Sequence, residues 1–472
     1  MSEFEETGAK GIAEAKGTRV MDYNEVDPDL TDHKFDSSRN LSKSSSVSSE
    51  IKETAECIQI RIRELRPPLP EPAACIFKVH QGLRSVNEKA YTPTLVSIGP
   101  YHHENPNFSA MKEHKLRYLR SYLQRINDNI DIGTINVEPY LLRMEKLADK
   151  AQVCYADPIC LDRKKFVEML LLDACFVIEF LCKSHLQEDD PILRSTWMKL
   201  QIGRDLMLLE NQIPLFVLSE LFDLIRARYR PVTLIKMAAL FPVSMMLPKQ
   251  YSETKTKELI EKTSAAGESK HFLDLVHRLY LPSSRKDKYC VGMSCVTELQ
   301  EAGISFEVNE SDDVGIFDIR FENGRMKIPK FKVNDVTETF LRNIVAYEQH
   351  SSLDDHKYFT DYISIMDFLI HTGNDANALR LCGIIENMLG DDKEVALMFN
   401  KLGDGVVIPP NFYYSNVCKN VNHHCEKPWN EAMAKLRRNY FNNPWAGIST
   451  VAAVVLLLLT LIQTAATLIP LF

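Results

Sequence analysis

The sequence predicts a mainly α protein of the α+β class, with a large helical domain, a small antiparallel sheet around 303–333 and one C-terminal transmembrane helix. Three observations predict it. Apolar residues recur at helical spacing in runs longer than strands usually reach. Glycine is scarce, 18 in 472 residues or about 4% against the usual ~7%, which disfavours turn-dense β architectures and glycine-rich phosphate loops. Nothing after Arg438 is charged. The rest is ordinary globular composition, 45% hydrophobic and 25% charged. A formal net charge of −8, with no long Lys/Arg run, excludes a general nucleic-acid binder.

In chain order, residues 1–72 read as a disordered acidic and Ser-rich tail ending in a proline-rich linker. The stretch up to residue 50 carries 6 basic and 11 acidic groups and too few apolar residues to offset chain entropy. A short amphipathic piece follows at 51–66, with Ile58, Ile60 and Ile62, and Pro67, Pro68, Pro70 and Pro72 extend the chain into the folded part. Residues 73–440 read as one globular helical domain. Met111 to Arg125 shows helical charge alternation. Lys164 to Lys183 is apolar nearly all round, as a buried helix is. Trp197 to Ile213 reads as a long helix broken at Pro214, with helical periodicity resuming after it. Glu210, Asn211, Gln212, Glu220 and Asp223 disqualify 206–225 as a membrane span. The β signal lies at 303–333, where two alternating runs precede Asn323-Gly324, a type I′ hairpin signature. Helices are expected again at 337–348, 358–371, 376–389 ended by Gly390, 393–402, and from about Asn416 to Tyr440.

Residues 447–469 are the predicted transmembrane helix. Ile448 to Ile469 supplies the ~20 helical residues that a hydrocarbon core of about 30 Å requires, and Trp445 stands where aromatic belts form. Lys435, Arg437 and Arg438 lie just before it, which by the positive-inside tendency keeps the bulk of the chain cytosolic. No apolar h-region follows a basic start at the N-terminus, so the expected topology is single-pass and tail-anchored. A buried core helix and a GPI-attachment signal are the other readings of the same stretch. Eleven scattered cysteines without a C-x-x-C fit a cytosolic setting, whereas sequons at Asn40, Asn107 and Asn309 would serve only on a secretory route.

Ordered motifs fill the central region. They are Val79, Leu83-Arg84, Asn87, Ala90-Tyr91-Thr92-Pro93 and Val96 through Gly99-Pro100-Tyr101-His102-His103; then His114-Lys115 and Tyr118-Leu119; Leu171-Leu172-Asp173; Asp205 through Glu210-Asn211-Gln212 to Pro214; Leu341-Arg342-Asn343 and Glu348-Gln349; and Pro444-Trp445. In these the chain resembles the plant family called domain of unknown function 247, over about 75–440 and the C-terminal span. It departs from the family pattern at His80, Glu104, Lys112 and Ala174. The resemblance implies plant origin and one C-terminal membrane helix, and no established reaction. Because some grass members are linked to self-incompatibility, it also implies a recognition role.

Candidate chemistry is sparse. Tyr101-His102-His103-Glu104 with Glu113-His114, and Cys418, His423, His424 and Cys425, offer metal-ligand types without metal-ligand spacing. Acids embedded in apolar runs, Glu168, Asp173, Glu179, Asp205, Glu210 and Glu348, are costly to bury unpaired. They either cap and pair with Arg84, Arg143, Arg204 or Arg342, or converge on a divalent metal. The candidate catalytic residues are therefore Asp173, Asp205, Glu210, His102 and His103, with no metal or cofactor ligands assigned and no small-molecule cofactor expected. The resulting expectation is a non-enzymatic, membrane-anchored module that recognises an unidentified protein partner, the alternative being a metal-dependent hydrolase using the buried carboxylates.

Overall fold

The computed structural model describes residues 45–64, 74–126, 135–229, 233–238, 258, 260–261, 269–282, 287–288, 292–310, 315–351, 357–408, 410–428, 430, 432 and 444–468. The expected acidic tail up to residue 44 and the proline-rich linker lie outside these. The first of two units contains α1 (Ser45–Glu64), a helix whose described side chains, Ile51, Ile58, Ile60 and Ile62 among them, are exposed.

The second unit, from Leu69 onward, holds everything else. It opens with α2 (Ser109–Ile126), α3 (Glu138–Gln152) and α4 (Arg163–Leu186). The Asp162 side chain caps α4 by accepting from the Lys165 amide, and Gln187 ends it in the left-handed region at φ 54°. Nearly every α4 residue from Phe166 to Cys182 is buried, because α2 and α3 pack on it and α6 (Leu215–Ile225) closes another side. This is the buried helix that its all-round apolar sequence predicts.

Helix α5 (Thr196–Leu206) stops earlier than expected, well before Pro214. The cause is side-chain capping by the two amides that follow. Asn211 donates to the Asp205 carbonyl (2.9 Å), and Gln212 donates to those of Leu206 (2.7 Å) and Leu208 (2.8 Å). With its last carbonyls satisfied from outside, the chain turns before the proline is reached.

Beyond α7 (Phe272–Tyr280) and β1 (Asp287–Lys288), α8 (Val296–Glu301) leads into β2 (Ser305–Val308), β3 (Arg320–Glu322), β4 (Arg325–Ile328) and β5 (Phe331–Val333). The Asn323-Gly324 hairpin forms as predicted, with φ of 52° and 76°. The sheet is nevertheless mixed rather than antiparallel, because β2 runs parallel to the central β4, and β5 leaves to pair in parallel with β6 (Ile385–Asn387). Alternation identifies strands but not their direction. Just before β3, Ile316, Phe317 and Ile319 are drawn into the core.

Helices α9 (Thr337–His350), α10 (Tyr358–Leu369), α11 (Gly373–Leu381), α12 (Asp392–Leu402) and α13 (Ser415–Cys425) follow, with β7 (Asn411–Phe412) beside β1. Two corrections arise here. The helix expected to reach Leu389 ends at Leu381, since Gly383 at φ 77° turns the chain and Ile385–Asn387 becomes β6. The long helix expected from Asn416 is described only to Cys425, and 433–443 lie outside the described residues. Last comes α14 (Pro444–Leu468), which carries no charged side chain. Its side chains described without a break, 451–465, rise about 22 Å, and among the described residues no helix is long and apolar enough to cross a membrane.

Gly99 tests this packing. At φ +79° it brings its backbone against the 205–214 turn, and a Cβ there would meet the Gln212 carbonyl oxygen at 2.3 Å. Gly99→Ala should cost more than about 2 kcal/mol, and Gly303→Ala, at φ +88° but facing open space, only about 1 kcal/mol. Denaturant midpoints at constant slope check the order.

Candidate functional site

The candidate residues gather along one stretch of chain. Residues 74–103 run extended or in short turns between α4, α5 and the turn after α5, and most of their amides have no sheet to join. Buried side chains take that place. Glu210 accepts from the Val79 amide (2.6 Å) and from Arg84, and its other oxygen lies 3.3 Å from His102 Nε2. Asp205 accepts from the amides of Thr94 (3.0 Å), Leu95 (2.7 Å) and Val96 (2.9 Å) and from Arg204. Asn211 accepts from Ile98 and donates to the Val96 carbonyl. Asp173 accepts from Gly99 and pairs with Lys115, whose ammonium also donates to the Ser97 carbonyl (2.6 Å). From α9, Asn343 donates to the Ala90 carbonyl and accepts from the Leu209 amide.

Electrostatics follow from this arrangement. Burial pushes the Asp205 carboxyl up, against the pull of the three amides and Arg204. At Glu210 burial acts in the same direction but is outweighed by His102, the Val79 amide and Arg84, which hold its carboxyl low. Burial also lowers His103, with Asp173 opposing. The structure thus brings Asp173, Glu210, His102 and His103 to one loop, with Asp205 further along the same strip. Every oxygen of the three acids already faces a donor. Among the described residues no group of three His, Cys, Asp or Glu is placed to hold a metal ion.

The other sequence candidates scatter. Glu168 is exposed rather than buried. Glu104 pairs with Lys165 and Glu113 with Arg117, both at the surface. Two of the expected arginine partners hold, Arg84 with Glu210 and Arg204 with Asp205. Arg143 instead pairs with exposed Glu220, and Arg342 with Glu338. The partner of Glu179 is Arg125 at 2.7 Å.

Glu348, expected to need a partner, centres a second buried polar knot whose other members sequence reasoning missed. Glu348 on α9 accepts from His277 Nε2 (2.8 Å) and from the Phe359 and Thr360 amides, which fixes α7 and α10 on α9. Next to it Asp274 accepts from the Tyr347 hydroxyl (2.7 Å) and from Arg278. His271 caps α7 through Nδ1 and sets Nε2 3.0 Å from the Cys75 carbonyl. Burial brings its pKa down to about 4. The available signal was His271 three residues ahead of Asp274, an N-cap spacing at the start of an apolar run.

One apolar feature stands apart from these knots. A groove of about 680 Å³ opens between α2, α3 and α4, floored by Leu119, Leu141, Val167 and Leu171. On its rim Leu116 and Leu142 are each 56% exposed.

Residues 76–459 match the profile of a family described as "Plant protein of unknown function". Two Arabidopsis thaliana proteins are similar over most of their length. UPF0481 protein At3g47200 is 28% identical over 428 residues, covering 83% of this chain and 86% of that protein. Putative UPF0481 protein At3g02645 is 22% identical over 497 residues, covering 84% and 90%. No solved structure matches.

Two predictions follow from the polar knots. Lys115→Met leaves Asp173 charged and buried without its partner, at a cost of about 3–5 kcal/mol. Adding Asp173→Asn should recover part of that loss, a coupling that a double-mutant cycle measures. Because burial depresses the folded pKa of His271, its contribution to stability is complete above the unfolded value near pH 6.5 and is lost as pH falls through about 4. The loss is on the order of 3 kcal/mol, and His271→Gln should flatten this part of a stability–pH profile.

Proposed function

The chain belongs to the family of plant proteins of unknown function that its residues 76–459 match, and on that premise we propose that it is a membrane-anchored protein-interaction module. The observation that carries the anchor is α14. It has 25 residues and no charged side chain. Its described leucines, Leu456 at 64% and Leu461 at 66%, are exposed to solvent instead of packed on the body. In the sequence, Ile448 to Ile469 supplies the ~20 apolar residues that a hydrocarbon core of about 30 Å requires. The family profile extends into it, as far as residue 459. Lys435, Arg437 and Arg438 just upstream favour the cytosolic side for the body.

What supports interaction over catalysis is the state of the polar groups. Asp173, Asp205 and Glu210 are each engaged in holding backbone amides of the opening segment rather than facing an open cavity. The apolar groove with its exposed leucines is the kind of surface that receives the apolar stripe of a partner helix.

Two measurements check the two halves. Protease added outside sealed native vesicles should digest 73–440, whereas protection together with glycan addition at Asn107 or Asn309 would overturn the cytosolic orientation. In the full chain, Leu142→Glu should lower recovery of co-purifying protein from native membranes at least several-fold. Leu381→Glu, at a still more exposed leucine away from the groove, should not. Equal behaviour of the two variants removes the groove from the reading.

A further inference from the structure

We infer that Cys75 and Cys154 form a reversible redox pair, in which a hydroperoxide oxidises Cys154 and Cys75 resolves it as an intramolecular disulfide. The inference stands on backbone register and is independent of the membrane reading.

Cys75 lies at the entry to the folded body, and Cys154 follows the end of α3. Between them runs a parallel bridge pairing Ile76 with Tyr155. The Ile76 amide donates to the Cys154 carbonyl (2.9 Å) and the Ala156 amide to the Ile76 carbonyl (3.0 Å). One residue back on both strands are the two cysteines, and the Cys75 amide also donates to the Cys154 carbonyl (2.9 Å). Neighbouring positions in register point to the same side, and paired strands lie about 4.8 Å apart, inside the ~4.4–6.8 Å Cα separation a disulfide requires. The Cys154 thiol itself donates to the Lys150 carbonyl (3.4 Å), at the end of α3.

Their environments differ in the manner the chemistry needs. Cys154 is half-buried and therefore reachable, whereas Cys75 is buried. The neighbouring Cys75, with Lys150 and Lys270, holds the Cys154 thiol below its ordinary range against burial. Its neighbour Cys154 and burial push Cys75 up. The thiolate is the attacking form, so Cys154 is the first to react. It displaces hydroxide from the peroxide and becomes a sulfenic acid. The Cys75 sulfur then attacks that sulfur and water leaves. The balance is two thiols and one hydroperoxide giving one disulfide and, for hydrogen peroxide, two waters. A dithiol reverses it by exchange. Cys418 and Cys425, by contrast, lie seven residues apart on α13, about 10 Å along its axis, and cannot bridge.

The disulfide would close the chain between residues 75 and 154 and so staple the entry segment to the end of α3. In the full chain treated with hydrogen peroxide, alkylated and digested without reductant, mass spectrometry should find the Cys75 and Cys154 peptides cross-linked with the loss of two hydrogens. Dithiothreitol should restore both thiols, and the oxidised form should melt several degrees higher. In Cys75→Ser, Cys154 should be captured as sulfenic acid by a dimedone-type probe. The inference is overturned if both cysteines stay alkylatable after oxidation, if Cys154 proceeds to sulfinic acid while Cys75 remains free, or if either pairs elsewhere. The wild-type digest decides the matter even if a variant misfolds.

Discussion

A stretch of extended chain buried between helices has amides with nowhere to go, and the body of this protein is arranged around supplying their partners. Each unsatisfied buried amide costs about 1–3 kcal/mol, and residues 79–99 would leave Val79, Val96, Ile98 and Gly99 in that state, with the half-buried Leu95 beside them. Buried carboxylates carry the opposite deficit, since an acid taken out of water needs several donors. Asp205, Glu210 and Asp173 meet the amides of the segment, and each deficit cancels the other. Lys115, Arg84 and Arg204 then neutralise the remaining charge.

The same logic shapes the helices around it. Helix α5 ends at Leu206 because Asn211 and Gln212 turn back onto its carbonyls, and those two side chains also reach Ile98 and the Leu273 amide. The turn after α5 is thus a hub joining the opening segment to α7. On the far side, Glu348 ties α7, α9 and α10 through His277 and two amides. Two polar knots therefore hold an otherwise leucine- and phenylalanine-rich interior in one register. Among the apolar surfaces left on the described residues are the groove between α2, α3 and α4 and the flanks of α14.

Much of this was legible in the sequence, and the omissions have physical reasons. Helix α4 and the Asn323-Gly324 hairpin follow from short-range pattern alone. The parallel direction of β2 and the recruitment of Ile385–Asn387 as β6 depend on contacts between distant residues, which periodicity does not carry. Acids in apolar runs were correctly expected to need partners, yet Arg125 and Lys115 sit on a surface-patterned helix and gave no sign of reaching inward. The apolar run around Glu168 predicts a buried acid, but that side chain is exposed on the side of α4 that faces the groove. Of the catalytic candidates, Glu210 meets His102 at 3.3 Å, while Asp173 and Asp205 face backbone amides and the cations Lys115 and Arg204.

Because the strip from Val79 to Gly99 is gripped by its main chain, its grip is indifferent to most of the lettering it displays. Asp205 holds Leu95 and Val96 by their N–H groups alone, so the side chains at those two positions can change while the ribbon stays clasped, whereas Thr94 is held by its hydroxyl as well. Gly99, pressed against another carbonyl, has no such freedom. A scaffold built in this way tolerates drift in its visible text while conserving the thread beneath it. Two relatives retaining under a third of the same residues across nearly the whole length is the divergence such a scaffold permits.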